Sequence, residues 1–304
     1  MDDKTFQGGV LILNLVDQKN VEAQLSGRLT KNKVFKAIFF MCTLLGLIVL
    51  AILIIDILRK GLPVMSTDFF TNFSSSSASS AGVKGAFIGT LWLMMTLIPI
   101  ALVLGVGSAI YLEEYAKDNA FTKFIRVNIS NLASVPSIVY GLLGATIFVA
   151  LLQLGNSVIA AALTLALLIL PVIIVASQEA IRSVPQSVKE ASYGLGANKW
   201  QTIQQVVLPA AIPGIITGVI LAISRAIGET APLVAIGIPT ILLRTPNSIL
   251  DSFQTLPLQI YDWARKPGID FQALSSAAII VLLAILLILN TIAVIIRNKY
   301  SNKY

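Results

Sequence analysis

Six long stretches of the sequence are almost free of charged residues, and they limit the fold more than any other feature does. Each has about twenty residues or more, the length that an α-helix needs to cross the hydrocarbon core of a bilayer. Charged residues make up 12% of the chain and apolar ones 56%, so the charged fraction is about half that of soluble domains. The sequence therefore predicts an all-α, polytopic membrane protein with six transmembrane helices, at 34–58, 87–112, 132–154, 158–176, 210–237 and 274–296.

The segments outside the spans divide the chain further. Residues 1–33 and 297–304 are polar tails, and 87–296 forms a core of five spans. The segment 59–86 contains SSSSASSAG, whose Ser and Gly residues favour a flexible, solvated linker. The segment 238–273 has four prolines, which argue against another crossing and favour an ordered outer cap. The second span ends in YLEEYA, whose aromatic and carboxylate residues are typical of a membrane–water boundary.

The distribution of Lys and Arg predicts the orientation. The tails and the two segments on their side of the membrane, together with Lys36 at the start of the first span, hold fifteen of the chain's 22 basic residues; the opposite segments hold six, and Arg225 alone lies in the middle of a span. Because cytoplasmic segments carry the excess of Lys and Arg, both termini are predicted to be cytoplasmic. This asymmetry also explains the net charge of +7, so nucleic acid is not an expected partner.

Side chains that carry catalysis or bind metals are scarce. The chain has no His, and its one Cys, Cys42, lies in the first span, where a lone Cys is most often a small packing residue. No metal-ligand spacing, nucleophilic triad or phosphate-binding loop of the GxxxxGK[ST] type is present. We therefore expect no catalytic residue, no metal and no cofactor in this chain.

The stretch SRAIGETAPL places Arg225 and Glu229 four residues apart in the middle of the fifth span. On a helix they share a stripe with Thr217 and Leu221, beside a ridge of small residues that permits close helix packing; the ridge comprises Gly214, Gly218, Ala222 and Ala226. Charges at this depth are too costly to face lipid. Two interpretations follow, a buried structural ion pair or an anion path in which the guanidinium donates paired hydrogen bonds to an oxyanion.

Pro232 is expected to interrupt this helix just beyond the two charges. The interruption would free backbone carbonyl groups that only a wet cavity can satisfy.

The inner loop 177–209 is longer than a plain connection requires. Its sequence predicts two short amphipathic helices, one with Val188, Ala191 and Leu195 on its apolar face and one with Trp200, Ile203 and Val207. Gly194 and Gly196 permit a sharp turn between them. Because these apolar faces have nothing of their own to bury against, we expect them to dock in a groove of a partner.

The same loop resembles the EAA loop of ABC importer permeases, whose pattern is EAA, three residues, Gly, nine residues, Ile, any residue, Leu, Pro. Ser192 stands where the pattern has Ala, and Val206 stands where it has Ile. The resemblance implies a coupling helix that inserts into a cleft of a separate ATPase. It assigns that role to the matching positions Glu190, Ala191, Ser192, Gly196, Leu208 and Pro209. The alternative is an amphipathic helix on the bilayer surface.

SRAIGETAPL resembles the fifth-span motif of phosphate permeases of the PstA and PstC kind, and YLEEYA, NLASVPSIVYGLLG and TLPLQIYDWA agree with it. With the loop, these motifs cover most of the chain from about Gly85 onwards, and PLQIYDWA points to the PstA type. The tail and the serine tract depart from the pattern. The resemblance implies a type I ABC importer permease fold and inward transport of phosphate across the bacterial or archaeal plasma membrane.

The resemblance further implies three partners, a second permease of the PstC type, an ATPase homodimer of the PstB type and an extracytoplasmic phosphate-binding protein of the PstS type. ATP and Mg²⁺ would be bound by the ATPase, so this chain would be a non-catalytic subunit.

The resemblance also favours the transport interpretation of the charged stretch. The substrate path it suggests comprises Arg225, Glu229, Ser224, Thr230, Ser137 and Tyr140. For Ser137 and Tyr140, a packing role is an equal alternative. Two other functions remain, a permease for another oxyanion such as sulfate or molybdate, and a stand-alone channel or secondary transporter. The second would commonly show two related halves, and no such repeat is visible.

Overall fold

The structure is a computed structural model that describes residues 18–301. Residues 1–17 of the predicted N-terminal tail and 302–304 of the C-terminal tail lie outside the described residues. Within the described range the chain is almost entirely helical, with twelve α-helices: α1 Gln18–Gly61, α2 Thr67–Thr71, α3 Lys84–Ile110, α4 Ala120–Leu132, α5 Ser137–Gly144, α6 Val158–Arg182, α7 Gln186–Gly194, α8 Lys199–Thr202, α9 Leu208–Gly228, α10 Ala231–Ile236, α11 Leu256–Arg265 and α12 Ile269–Ser301.

Three π-helical turns lengthen these helices. They are Tyr111–Tyr115 after α3, Ala145–Leu151 after α5, and Ile203–Val207 between α8 and α9. The last one continues α8 into α9, so residues 199–228 form one helical rod. Short 3₁₀ turns at Leu62–Val64 and Ala78–Ser80 lie in the serine-rich segment.

Among residues 18–301, five helical stretches are long and apolar enough to cross a membrane. They are Lys31–Val64, Lys84–Tyr115, Val158–Arg182, Lys199–Gly228 and Ile269–Lys299. A sixth span results if the pair Ala120–Leu132 and Ser137–Leu151, bent by 105°, is counted as one. The predicted all-helical, polytopic fold is therefore confirmed.

The third span, predicted at 132–154, is bent near its start at Pro136. Helix α4 ends at Leu132, a turn follows, and Pro136 immediately precedes α5. A residue before proline is disfavoured in the helical conformation, so the helix cannot run through this point. The result is a bend of 105° between Ala120–Leu132 and Ser137–Leu151 rather than one continuous helix.

One structural unit ends at Asp56. Its described part is helix α1 up to Asp56, and every side chain from 31 to 56 is exposed. An apolar helix with no buried face is stable only when lipid or another chain surrounds it.

The second unit, 57–304, is built around α6. Helices α3 and α9 pack against α6, α12 packs against α9, and α5 packs against α10. Leu165, Ile169 and Ile173 of α6 are completely buried. The small-residue ridge of α9 faces α6, because a Cβ on Gly218 would collide with the Cβ of Ala176. The close helix approach predicted from this ridge is confirmed.

A smaller core lies where the serine-rich segment meets the proline-rich segment. Phe69, Leu256 and Trp263 are buried together. The side chain of Ser74 is also buried, and its hydroxyl donates a hydrogen bond of 3.3 Å to Oε1 of Gln254. The segment expected to be a solvated linker is thus anchored by Phe69, Ser74 and Ala81, whereas the other serines of the tract are exposed or half-buried, as expected for a solvated stretch.

Candidate functional site

The charged stretch of the fifth span lies at a break in the helix. Helix α9 ends at Gly228, Glu229 has an extended backbone with φ −76° and ψ 121°, and α10 begins at Ala231. Pro232 lies in the first turn of α10, where its missing N–H is not needed. The break, at Glu229 and Thr230, lies directly before the proline, which is where a proline ends a preceding helix; the expected interruption is therefore present and begins at Glu229. The last carbonyl groups of α9 lack intrahelical partners at this point.

Arg225 and Glu229 are paired across this break. The Nε atom of Arg225 lies 3.3 Å from Oε1 of Glu229, and the two side chains are 42% and 19% exposed. Within residues 18–301, this is the one hydrogen bond recorded for the Arg225 side chain, so Nη1 and Nη2 have no partner. A pair this open contributes little to stability. The guanidinium keeps its free donors available to an anion.

Tyr140 is brought to the same region by the contact between α5 and α10. A Cβ on Gly141 would lie 2.7 Å from the Cα of Pro232, so the two short helices cross at this glycine. Tyr140, the neighbour of Gly141 on α5, therefore lies beside the break in the fifth span. The Tyr140 hydroxyl, however, donates a 2.8 Å hydrogen bond to the Leu132 carbonyl. In this conformation it closes the bend before α5, so its proton is not free for a substrate.

The other predicted path residues are placed differently. Ser224 donates a 2.8 Å hydrogen bond to Oδ1 of Asn290 on α12, so it joins two helices. Thr230 lies in the break itself, next to Glu229, and is half-buried. Ser137 is the first residue of α5 and is also half-buried. The structure thus groups Arg225, Glu229 and Thr230 at one break, with Tyr140 nearby.

The predicted coupling loop forms a sharp, largely exposed bend between α6 and the rod 199–228. We call this bend, residues 183–198, the elbow. Gly196 has a φ of +87°, which strains any residue with a side chain. Glu190 and Ala191 on α7 are exposed, and Leu195 is 91% exposed. A groove of about 580 Å³ lies against the elbow, lined in part by Val188, Ala191, Leu195, Gly196 and Val206.

Ser192 has a structural role in this elbow. Its hydroxyl lies 2.9 Å from the hydroxyl of Thr202 on α8, and both side chains are buried. The substitution of Ser for the Ala of the family pattern therefore adds a bond that joins α7 to the rod.

Leu208 and Pro209 begin α9 directly after the π-turn and are half-buried. The wider turn accommodates Pro209, whose ring would clash with the carbonyl group four residues earlier in a regular helix.

The second amphipathic stripe of the loop is only partly free. Trp200 is 58% exposed, but Ile203 and Val207 are each 1% exposed. The expectation that this whole face needs a partner is wrong, because the stripe belongs to the base of the fifth span and buries itself within the chain. Within the loop 177–209, the large apolar side chains that remain exposed are Val188, Tyr193, Leu195 and Trp200.

Two sets of polar residues went unrecognised in the sequence. Asn290, the partner of Ser224, is one of four polar residues in the predicted last span, and nothing in its position predicts that partner. Glu113 and Glu114 in YLEEYA pair with basic residues of the loop region, namely with Arg182 and Lys189 respectively. The signal available was two adjacent carboxylates at one membrane boundary and basic residues on the same predicted side.

Comparison with known proteins gives a family. A family described as "Binding-protein-dependent transport system inner membrane component" matches residues 101–302. The probable ABC transporter permease protein YqgI of Bacillus subtilis is 34% identical over 274 residues, covering 86% of this chain and 93% of the relative. The phosphate transport system permease protein PstA of Haemophilus influenzae is 31% identical over 263 residues, covering 86% and 92%.

Solved structures agree on the fold. A chain of the MetNI methionine ABC transporter, in inward facing conformations, matches with a TM-score of 0.59 at 16% identity, covering 72% of this chain and 95% of that one. A chain of a bacterial ABC transporter involved in the import of the acidic polysaccharide alginate matches with a TM-score of 0.61 at 15% identity, covering 91% and 99%. At these identities the likeness establishes the fold alone.

Proposed function

The chain belongs to the family of binding-protein-dependent transport system inner membrane components, and from this membership we propose that it is the PstA-type permease of an ATP-driven importer of inorganic phosphate. As a family member it is a multi-pass inner membrane protein with the type I ABC importer permease fold, and it works with an ATPase and a substrate-binding protein. The PstA names of several relatives support phosphate as the substrate.

One observation carries the proposal, the open guanidinium of Arg225 at a helix break within the fifth span. Two of its nitrogen atoms are without a partner among the described residues, and 42% of the side chain is exposed. Such a group binds an oxyanion through parallel hydrogen bonds and keeps its charge at every physiological pH. Glu229 competes for the same guanidinium, which keeps anion binding weak enough for release.

The partners and the coupling follow from the same proposal. A PstC-type permease completes the path, a PstB-type homodimer binds ATP and Mg²⁺, and a PstS-type protein delivers phosphate at the outer face. Both termini and the elbow at Gly196 lie on the cytoplasmic side. Closure of the ATPase dimer displaces the elbow through Glu190, Ala191 and the exposed Leu195, and the path at Arg225 opens outward; hydrolysis resets it.

The test is uptake of labelled phosphate into vesicles that contain all the subunits, with ATP on the cytoplasmic face and competing anions outside. We expect uptake to depend on ATP and on the binding protein. Excess unlabelled phosphate should suppress it, whereas sulfate and molybdate should not. Suppression by sulfate or molybdate, with weak competition by phosphate, would assign the permease to another oxyanion.

A further inference from the structure

The end of the second span carries a cluster of charges that the transport proposal does not use. Residues 111–115 form the π-turn that continues α3, and this turn holds Glu113 and Glu114 side by side. Adjacent residues on a helix point about 100° apart. Glu113 and Glu114 therefore reach different parts of the chain.

Glu113 ties the turn to the core of the molecule. Its Oε1 accepts a 3.0 Å bond from Nε of Arg182, and its Oε2 accepts a 3.1 Å bond from Nη2 of the same residue. Arg182 ends the central helix α6. Arg126 of α4 lies 3.6 Å from the same carboxylate and also donates to the Leu112 carbonyl. The bidentate geometry fixes the position of the turn against α6.

Glu114 ties the turn to the elbow. Its Oε1 lies 2.6 Å from Nζ of Lys189 on α7, and the side chains of Lys189 and Glu114 are only 12% and 8% exposed. Exposed pairs contribute little, but removing one member of a buried pair leaves an uncompensated charge. The contact therefore holds α7 firmly in place against the end of the second span.

A second attachment lies on the other side of the elbow. The Nζ atom of Lys199, the first residue of α8, lies 5.1 Å from the ring centroid of Tyr115, within cation–π range. Lys189 and Lys199 thus flank the Gly196 bend and contact the adjacent residues Glu114 and Tyr115. The elbow cannot move without straining these contacts or pulling the π-turn with it.

We propose that Glu114 and Lys189 are positioning residues that transmit displacement of the elbow to the second span, so that α3 moves together with the fifth span. This inference rests on the proposed role of the elbow as the ATPase contact. The fifth span follows the elbow through the continuous rod 199–228. The second span is joined to the end of α6 and to the elbow by side-chain pairs, Glu113 with Arg182 and Glu114 with Lys189, which lie 69 and 75 residues apart in sequence. The π-turn is part of the span Lys84–Tyr115, so a displacement of the turn moves the membrane-spanning helix with it.

The experiment uses the full complex in vesicles and measures phosphate uptake and ATP hydrolysis in the same sample. We expect Lys189→Met to lower uptake per ATP hydrolysed about tenfold, while the ATPase still copurifies with the permease. Lys189→Arg keeps the charge and should retain the wild-type ratio. The double variant Glu114→Lys with Lys189→Glu restores an opposite-charge pair and should recover most of the wild-type uptake per ATP hydrolysed. Lys123→Met, which removes an exposed pair with Asp118 at 3.7 Å, is the matched control and should change nothing.

Three results would overturn the inference. One is a wild-type ratio of phosphate uptake to ATP hydrolysis in Lys189→Met. Another is a double variant that does not recover this ratio although the single variants Glu114→Lys and Lys189→Glu each assemble with the other subunits. Loss of the ATPase from Lys189→Met would also overturn it, because the pair would then only hold the loop together. If the wild-type complex imports no phosphate, the proposed substrate fails, and stimulation of ATP hydrolysis by the binding protein tests the link instead.

Discussion

Arg225 is more than twice as exposed as the carboxylate with which it pairs, 42% against 19%. A structural ion pair would bury both groups and satisfy their remaining donors. Here one nitrogen of the guanidinium is engaged and two are without a partner in the described chain. This arrangement favours a guanidinium that can exchange Glu229 for an anion over a structural ion pair that only joins two turns of helix.

At the residue scale, we predict that Arg225→Gln lowers phosphate uptake about 10- to 100-fold, because it removes charge-assisted hydrogen bonds to the anion. Arg225→Lys should retain little, since an ammonium group lacks the planar fork. Vesicle uptake measures both effects, and copurification of the partner subunits checks that the variants assemble. Wild-type uptake by Arg225→Gln would remove this residue from the path.

Some features of this site could be read from the sequence, and others could not. The charged stretch and the small-residue ridge follow from helical spacing, which is local. The interruption near Pro232 follows from the sequence as well, because a proline ends the helix before it; that the break already begins at Glu229 does not. The hydrogen bond from Ser224 to Asn290 spans 66 residues and leaves no trace in any periodic pattern.

At the element scale, the contact between α9 and α6 depends on residues without side chains. We predict that Gly218→Ala destabilises the protein by about 1–3 kcal/mol, because the added Cβ would collide with Ala176 and force the helices apart. Gly107→Ala is the matched control, since nothing lies within 4 Å of its added Cβ, and a helical Gly→Ala change then gains about 0.5–1 kcal/mol. Denaturation midpoints in detergent measure both. Equal effects of the two substitutions would refute the close packing.

The elbow makes a second prediction at this scale. Glu190→Arg reverses an exposed charge on the proposed docking face, and Gly196→Asp strains a backbone with φ +87°. We expect each to weaken ATPase binding about tenfold or more, measured by copurification and by stimulated ATP hydrolysis. Asp118→Arg, which reverses a carboxylate that is 78% exposed, is the control. Both elbow variants behaving like the control would exclude docking at this surface.

The elements themselves were largely predictable, because membrane spans are set by hydropathy alone. Their ends were not. The loop expected to contain two free helices contains one, since Ile203 and Val207 bury themselves and extend the fifth span to Lys199. The Glu114–Lys189 pair joins residues 75 apart, and pairing at that distance depends on how the spans pack.

At the scale of the whole molecule, the chain depends on its surroundings for much of its surface. The described side chains of its first helix through residue 56 are exposed, and so are apolar residues such as Leu195 on the elbow and Trp200 next to it. Surfaces of this kind are stable only against lipid or against other subunits. This accords with a permease that contributes half of a path and receives its energy from a separate ATPase.

The proposed transport requires that the break in the fifth span lines a water-filled path whose access the ATPase switches. The most direct measurement is the labelling rate of Thr230→Cys by a charged thiol reagent in the assembled complex, in a background where the one native cysteine is replaced by Cys42→Ala. We predict that the cysteine reacts, and that its rate changes when nucleotide closes the ATPase dimer. A cysteine that stays unreactive from both aqueous sides in every nucleotide state would contradict the account.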